Sequence, residues 1–406
     1  MRARLRELWL PAVVAGACGA GLMALGMLSP AFSDYEAEAE PSLQALREGD
    51  VDGFLTLAPV YGGSLIMRAP FALLPNLWGG GDLALFRSMA VPCLLAAAAF
   101  AVFLWWRGRR LGQSAVACWI ALLLVAGNPI TLRGLEIGHP EELFGGVLCV
   151  AAALAAGARR PLLAGVLLGL ALANKPWAVI AVVPLLAILP DRRPRMLAAA
   201  CGTGLLVMLP LLLGGSAVET TQAVAQGGGS IFQPWQIWWF LGEHGETVTG
   251  IYGSYPDHRN LPTWLAGHER QLVVAIVVGA SLLLLPRVRS RGWPDGLLLL
   301  AFALQLRCLV DTWNISYYAV PFVIALVTWE LHAYRRPPVL SLAVTLCAWL
   351  TLVWLPPYVL PDVQALAYLA WSVPLTGLLA ARLVWGDRLQ LRPALDGWTS
   401  PSRISS

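Results

Sequence analysis

The chain contains many apolar stretches that approach or reach the length of a membrane-spanning helix. Crossing a bilayer takes about 20 mostly apolar residues, and the first run, from Leu8 to Leu28, has 21. Of the 406 residues, 58% are hydrophobic and 13% are charged, against about 25% charged in soluble proteins. Because lipid cannot satisfy an open strand edge, we expect an all-α fold: a polytopic transmembrane helical bundle formed by one membrane-embedded domain, 1–406.

Twelve apolar helices are predicted. They lie near residues 8–28, 83–106, 113–128, 141–157, 162–173, 176–189, 196–214, 270–286, 296–312, 317–334, 339–358 and 364–385. With a cytoplasmic N-terminus, 20 of the 28 basic residues flank the inner helix ends, as the positive-inside rule requires. This orientation predicts that both termini, including a tail over 386–406, are cytoplasmic. The first run also resembles a signal peptide, but its length favours an uncleaved helix.

The polar residues are distributed asymmetrically across this topology. Two long outer loops are expected, 29–82 with interfacial helices and 215–269, and 18 of the 24 acidic residues lie on the outer side. Charges at membrane depth are costly and are candidates for function. No basic stripe lies outside the membrane flanks, so nucleic-acid binding is not predicted. The seven cysteines lie in apolar runs or at their ends and read as core residues.

Asp34 is the first candidate for chemistry. It follows the first apolar helix by about six residues, which tethers a carboxylate at the outer membrane surface. Such a group can act as general base on a sugar hydroxyl. The alternative is a solvated cap of the helix that follows.

The candidate phosphate ligands are Lys175, Arg307 and Arg68. Lys175 is the only lysine in the chain and lies in Asn174-Lys175-Pro176, where a proline breaks a short hairpin. An ammonium there would bind a lipid phosphate as a point charge, or it would snorkel to the interface. Arg307 would bind the phosphate or pair with Asp311 at i, i+4.

Several further residues are candidates for binding a sugar or an acceptor. The sequence between the third and fourth helices contains three carboxylates and a histidine that would bind hydroxyls or a divalent cation, or would cap the fourth helix. Two histidines of the second outer loop and two tyrosines after Arg307 complete the set, and a metal requirement is left open. The candidates are Glu136, His139, Glu141, Glu142, His244, His258, Asp311, Tyr317 and Tyr318.

These residues resemble a known superfamily. A first helix followed closely by Asp34 is similar to the GT-C glycosyltransferases. The run AGVLLGLALANKPWAVIAVVPLLAILP, residues 164–190, resembles a segment of the bacterial polyprenyl-phosphate-mannose-dependent mannosyltransferases, glycosyltransferase family eighty-seven. The run RCLVDTWNISYY, residues 307–318, is similar to a segment of their relatives. Where that family often has a Gly-Gln-Asn-type turn, this chain has Gly138-His139-Pro140-Glu141, which leaves the acceptor and the sugar open.

The resemblance implies an inverting transfer from a polyprenyl-phosphate sugar, most simply mannose, to a glycolipid or glycan acceptor. The enzyme would lie in the plasma (inner) membrane with its active site on the non-cytoplasmic side, Asp34 would deprotonate the acceptor, and Lys175 with Arg307 or a cation would stabilise the leaving phosphate. Two other classes stay open: a transporter or flippase for lipid-linked sugars, and a non-catalytic membrane assembly protein.

Overall fold

The computed structural model describes residues 2–26, 28, 34–59, 61–189, 191–214, 232–244, 247–250 and 253–386. These residues form a predominantly helical bundle. In chain order its first eight α-helices are α1 Arg2–Gly26, α2 Glu40–Arg47, α3 Val51–Thr56, α4 Gly62–Ala72, α5 Asp82–Arg110, α6 Ala115–Ala126, α7 Thr131–Ile137 and α8 Glu141–Gly157. The next eight are α9 Pro161–Asn174, α10 Val182–Ile188, α11 Arg193–Leu213, α12 Glu269–Arg289, α13 Trp293–Val310, α14 Ala319–Ala333, α15 Val339–Trp349 and α16 Pro361–Trp385.

Within the described residues, seven helical segments are long and apolar enough to cross a membrane. They are Glu7–Gly26, Asp82–Arg110, Ala115–Ile137, Arg193–Leu213, Glu269–Arg289, Trp293–Val310 and Pro361–Trp385. Shorter apolar helices lie at Pro161–Asn174, Pro176–Ile188 and Val339–Trp354. Length and composition therefore indicate a membrane protein with an all-helical membrane region, and the count of twelve crossings stays a prediction.

The bundle has a protein-packed centre and an apolar rim. Helices α8, α13 and α14 pack together, and nearly every side chain of α13 and α14 is buried. Helix α11 instead exposes Leu205, Leu206 and Leu213. A helix that is apolar and exposed on its outer surface is suited to lipid.

The two ends of the bundle have different polar contacts. At one end the Arg107 Nε donates to His332 Nε2 over 2.7 Å, and Arg291 donates to the carbonyl oxygens at the C-terminus of α16. At the other end lie the C-terminus of α9, the N-terminus of α8 and the C-terminus of α13, whose charged side chains contact one another. The predicted topology assigns these two ends to the inner and outer sides.

The helix break predicted at Asn174-Lys175-Pro176 is confirmed. Helix α9 ends at Asn174, and Lys175 is extended, with φ −152° and ψ 134°. Proline disfavours helix at the residue before it, and the chain resumes as a 3₁₀ helix, Pro176–Ala181, that leads into α10. The break places the Lys175 side chain at the end of the apolar hairpin.

The first outer loop folds back onto the bundle. Asp34 precedes a π-helical turn, Tyr35–Ala39, which runs into α2. The same loop, in which interfacial helices were expected, also contains α4 and a 3₁₀ turn, Leu74–Trp78. Arg68 on α4 is only 2% exposed, so α4 turns its one charge into the protein. Residues 29–33 lie outside the described part.

The second outer loop contains short strands that helical periodicity did not predict. Strand β1 (Glu243–His244) pairs antiparallel with β4 (Arg259–Asn260), and β2 (Thr247–Gly250) pairs with β3 (Gly253–Pro256). Arg259 connects this loop to α16 through a bidentate salt bridge with Asp362, whose two hydrogen bonds measure 3.0 and 2.8 Å. Residues 215–231, 245–246 and 251–252 of the loop, and the tail 387–406, lie outside the described residues.

Candidate functional site

Eight charged or titratable side chains meet where the N-terminus of α8 and the C-termini of α9 and α13 converge. The acids are Asp34, Glu141, Glu142 and Asp311, and the bases are Arg68, His139, Lys175 and Arg307. We call this set the ionic network. Because a buried charge is expensive unless it is paired, the alternation of acids and bases explains how the network is accommodated.

Helix α8 begins with the two acids at the centre of the network. The side chains of Glu141 and Glu142 are 0% and 1% exposed. Both lie in the first helical turn, where the macrodipole favours negative charge. Asn174 donates to the Glu141 carbonyl oxygen over 2.8 Å, and Ser64 donates to the Asn174 side chain over 2.9 Å. These bonds tie the N-terminus of α8 to the break after α9.

Lys175 lies between the two glutamates. Its Nζ is 3.0 Å from Glu141 Oε1 and 3.2 Å from Glu142 Oε1, and it stands 5.1 Å from the centre of the Tyr61 ring. The side chain is 11% exposed. The extended backbone at the break directs this lysine toward the N-terminus of α8, so the ammonium is held by two carboxylates.

Arg307 continues the network on the opposite side of Glu142. Its Nη1 is 3.4 Å from Glu142 Oε2, and its Nε is 3.9 Å from Asp311 Oδ2. The guanidinium also lies 4.7 Å from the Trp177 ring centre and 4.2 Å from that of Tyr318. Contact with aromatic faces compensates part of the desolvation of a guanidinium, and Trp177 additionally donates to Glu142 over 3.1 Å.

His139 connects Asp34 to Glu141. Its Nε2 is 3.1 Å from Asp34 Oδ2, and its Nδ1 is 2.6 Å from Glu141 Oε1. Burial and the Lys175 charge lower the pKa of the His139 imidazole, but the charge of Glu141 and the hydrogen bonds to Asp34 and Glu141 outweigh them and raise it to about 9. The imidazole is therefore protonated at neutral pH.

The turn before α8 brings Asp34 and His139 together. Gly138 adopts φ +92°, a left-handed conformation that glycine accepts readily. A Cβ at this position would lie 2.7 Å from the Tyr35 Cβ, so the residue after Asp34 packs directly on the glycine before His139. Tyr35 is also held by Phe86, with ring centres 4.8 Å apart.

Arg68 contacts the second carboxylate oxygen of Glu141, whereas His139 and Lys175 contact the first. Its Nη2 is 3.3 Å from Glu141 Oε2, and it donates to the Ser64 and Met89 carbonyl oxygens over 3.3 and 3.4 Å. A small cavity beside Arg68 is lined by the first outer loop, α5 and the α7–α8 turn. Glu141 thus faces three bases.

The exposure of the network is graded. Asp34 and Asp311 have side chains that are 15% and 21% exposed, whereas those of His139, Glu141, Glu142 and Arg307 are at most 7% exposed. Four carboxylates face three permanent cations and the His139 imidazolium, so the network is neutral as arranged. Its two most exposed groups are carboxylates at opposite ends.

Most of the residues singled out in the sequence meet in one place. The structure brings together Asp34, Arg68, His139, Glu141, Glu142, Lys175, Arg307, Asp311, Tyr317 and Tyr318. Three candidates lie elsewhere. Glu136 pairs with Arg133 at 3.1 Å on the surface of α7. His244 lies 4.0 Å from Asp362, and His258 packs against the Trp239 ring.

Four supporting residues were not singled out from the sequence: Tyr61, Ser64, Asn174 and Trp177. Asn174 and Trp177 lie next to Lys175 and Pro176 at the predicted break, so their position in the sequence could have indicated that they belong to the site. Tyr61 and Ser64 reach the site only through the fold of the first outer loop, which apolar periodicity does not reveal.

A divalent cation does not fit the acidic groups of this site as they are arranged. Within the described residues, no three His, Cys, Asp or Glu side chains form a group that could hold a metal ion. The oxygens of Glu141 and Glu142 face the nitrogens of Arg68, His139, Lys175, Arg307 and Trp177. In the described residues, the positive charge next to these carboxylates is carried by side chains.

Comparison with models of known protein families gives no match to this chain, and comparison with curated proteins gives none either.

Proposed function

We propose that the protein is a membrane glycosyltransferase that moves a sugar from a polyprenyl-phosphate donor to a lipid or glycan hydroxyl at the outer face, with inversion. The observation that carries the proposal is the setting of Asp34. Its carboxylate lies at a partly exposed end of the ionic network and contacts the His139 imidazole. The other ring nitrogen of His139 contacts Glu141, which is fully buried. The resemblance of the 164–190 and 307–318 runs to the polyprenyl-phosphate-mannose-dependent mannosyltransferases supplies the reaction class.

The reaction is one displacement at the anomeric carbon. Asp34 accepts the proton of the acceptor hydroxyl as its oxygen attacks, and the bond between the anomeric carbon and the phosphate oxygen breaks. The polyprenyl phosphate leaves with that electron pair. A phosphate needs no proton in order to leave, so one general base and nearby positive charge are sufficient.

The cations have different access to a donor. Lys175 is the most exposed of the three permanent cations, with 11% of its side chain accessible, so we assign the first phosphate contact to it. Arg307 lies on the other side of Glu142 and would add to the positive potential. Arg68 contacts Glu141 and would act through that carboxylate. Because each cation already has a carboxylate partner, donor binding would require the phosphate to share these cations with Glu141 and Glu142.

The test is reconstitution of the full chain in liposomes with radiolabelled polyprenyl-phosphate mannose and a lipid extract as acceptor. The protein should release polyprenyl phosphate and move label into a new product, whereas protein-free liposomes should do neither. A donor that stays intact with each acceptor extract and with each of several polyprenyl-phosphate sugars would contradict the proposal.

A transporter for lipid-linked sugars is the second candidate. The feature that favours it is the continuous run of buried acids and bases from Asp34 to Asp311, because intramembrane ionisable chains occur along ion pathways. The same liposomes separate the two functions. A transporter would move intact donor between leaflets, and the bond between sugar and phosphate would survive.

A further inference from the structure

The His139 ring faces a carboxylate on each side. Nε2 lies 3.1 Å from Asp34 and Nδ1 lies 2.6 Å from Glu141. An ionised carboxylate only accepts hydrogen bonds, and a neutral imidazole has a single N–H to donate. Both contacts are hydrogen bonds at once only if the three groups hold two protons. These are either both on the ring, or one on the ring and one on a carboxyl group.

The surroundings decide which carboxyl group exchanges this second proton. Glu141 also contacts Arg68 and Lys175 and is fully buried, so its negative charge is fixed by two permanent cations. Asp34 is at the partly exposed edge. The second proton therefore belongs to the pair formed by His139 and Asp34, and Glu141 is the constant counter-charge.

The ring has little room to turn away from this arrangement. Tyr61 and Tyr317 pack beside it, with ring centres 5.7 and 5.4 Å from that of His139. The preceding Gly138 is packed against Tyr35. The imidazole is thus held by packing as well as by its two polar contacts.

We propose that His139 is the positioning residue of Asp34 and shares one titrating proton with it. The inference rests on the proposed function for the role of Asp34 as base. In the resting state the imidazolium Nε2–H donates to Asp34 and fixes its carboxylate. When Asp34 takes the hydroxyl proton, that bond keeps the carboxyl group in place until the proton passes to water at the exposed edge.

The arrangement has a directional pH dependence. Above the pKa of His139, the remaining ring proton stays on Nδ1 beside the ionised Glu141. The Nε2 lone pair then faces the Asp34 carboxylate and repels it. Because the imidazole pKa lies near 9, above the usual 6.5, the favourable contact is complete at pH 6.5 and below and is lost as pH rises through 9.

Hydrogen exchange at the histidine C2 position, followed by mass spectrometry of the purified full chain, measures this pairing without turnover. We expect the exchange midpoint of His139 well above 6.5, and a lower midpoint in Asp34→Asn. The exchange of His268, which lies in another part of the structure and is exposed, serves as the internal reference for both proteins. A His139 midpoint at or below 6.5, or one that Asp34→Asn leaves unchanged, overturns the proposal.

A second arm follows sugar transfer against pH. The change His139→Gln keeps a donor for Asp34 but removes the titrating group. It should lower kcat with little change in KM, and should abolish the alkaline fall of the wild-type profile. A variant that keeps that fall contradicts the role of His139. If the exchange midpoint is raised but no donor sugar is transferred, the pairing holds and the transferase function fails.

Discussion

At the scale of single residues, Glu141 is in contact with three basic side chains of the ionic network. Its carboxylate contacts Arg68, His139 and Lys175 at 3.3, 2.6 and 3.0 Å and is completely buried. Glu136, only a few residues earlier, makes one surface contact with Arg133, and both side chains are substantially exposed. Two glutamates that are close in the sequence thus lie in opposite environments, one at the surface and one completely buried.

Replacing Glu141 by glutamine should therefore destabilise the protein strongly. The shape is kept, but three bases lose a buried negative charge, and removal of one partner of a buried pair costs about 3–5 kcal/mol. The measurement is thermal unfolding in detergent. Glu136→Gln is the matched control and should change the unfolding free energy by about 1 kcal/mol or less, as for an exposed pair. Equal unfolding midpoints for the two variants would contradict the assignment of Glu141 as a central support.

At the scale of elements, the position of Lys175 depends on how α9 packs against α11. Two glycines of α9 allow the close approach: a Cβ at Gly169 would lie 2.5 Å from the Ala200 carbonyl oxygen, and one at Gly165 would overlap that of Met196. Small residues are typical of closely packed helices in membranes. The end of α9, and with it the lysine, is fixed by this contact.

We expect Gly169→Ala to separate α9 from α11. Overpacking of a tight contact costs about 1–3 kcal/mol, so the thermal midpoint in detergent should fall. Gly202→Ala, on the facing α11, is the control, because a Cβ there has no neighbour within 4 Å. If Gly169→Ala is as stable as Gly202→Ala, the close packing of the two helices is wrong.

The helices were more predictable than the loops between them. Apolar runs with basic flanks located the long helices, and a proline after Lys175 located the break, because both signals are local. The pairing of Lys175 with Glu141 and Glu142 depends on residues 33 or more positions away along the chain, so no local pattern contains it. The pairing of the strands that contain His244 and Arg259 also depends on contacts between separate segments, so it was not predicted either.

The structure places most of the candidate site residues together, but their contact partners were not predicted from the sequence. Asp34, Lys175 and Arg307 were selected as charges next to apolar runs, and the fold places all three in the ionic network. The sequence did not indicate that His139 would contact two carboxylates, because one of them, Asp34, lies 105 positions away along the chain. His244 and His258, two further sugar-binding candidates, lie outside the ionic network, beside Asp362 and Trp239, and their role stays a prediction.

At the scale of the whole molecule, the charge asymmetry predicts which end of the bundle faces the cytoplasm. In a background with the native cysteines replaced, Glu48→Cys should react with an impermeant thiol reagent in intact cells, because we expect the first outer loop to be external. Arg289→Cys should react only after permeabilisation, because the arginines near it are retained inside. Both positions are exposed, so access alone does not distinguish them. Labelling of Arg289→Cys but not Glu48→Cys in intact cells would invert the topology.

The proposed transferase function depends on Asp34 acting as the base of the sugar transfer. Asp34→Asn keeps the shape and polarity of the side chain but removes the basic oxygen, and general-base help is worth about 10²–10⁴ in rate. Donor binding should survive, because a negatively charged phosphate is not attracted to a carboxylate. Glu36→Gln, at an exposed acid two residues away, is the control and should keep normal turnover.

The most direct measurement is single-turnover transfer of radiolabelled sugar from pre-bound polyprenyl-phosphate donor by the reconstituted wild type, Asp34→Asn and Glu36→Gln. We expect that all three proteins bind donor, while Asp34→Asn alone transfers sugar at least about a hundredfold more slowly. Near-normal transfer by Asp34→Asn would contradict the role of Asp34 as the base, and loss of transfer in Asp311→Asn would then place the base at the other exposed end of the network.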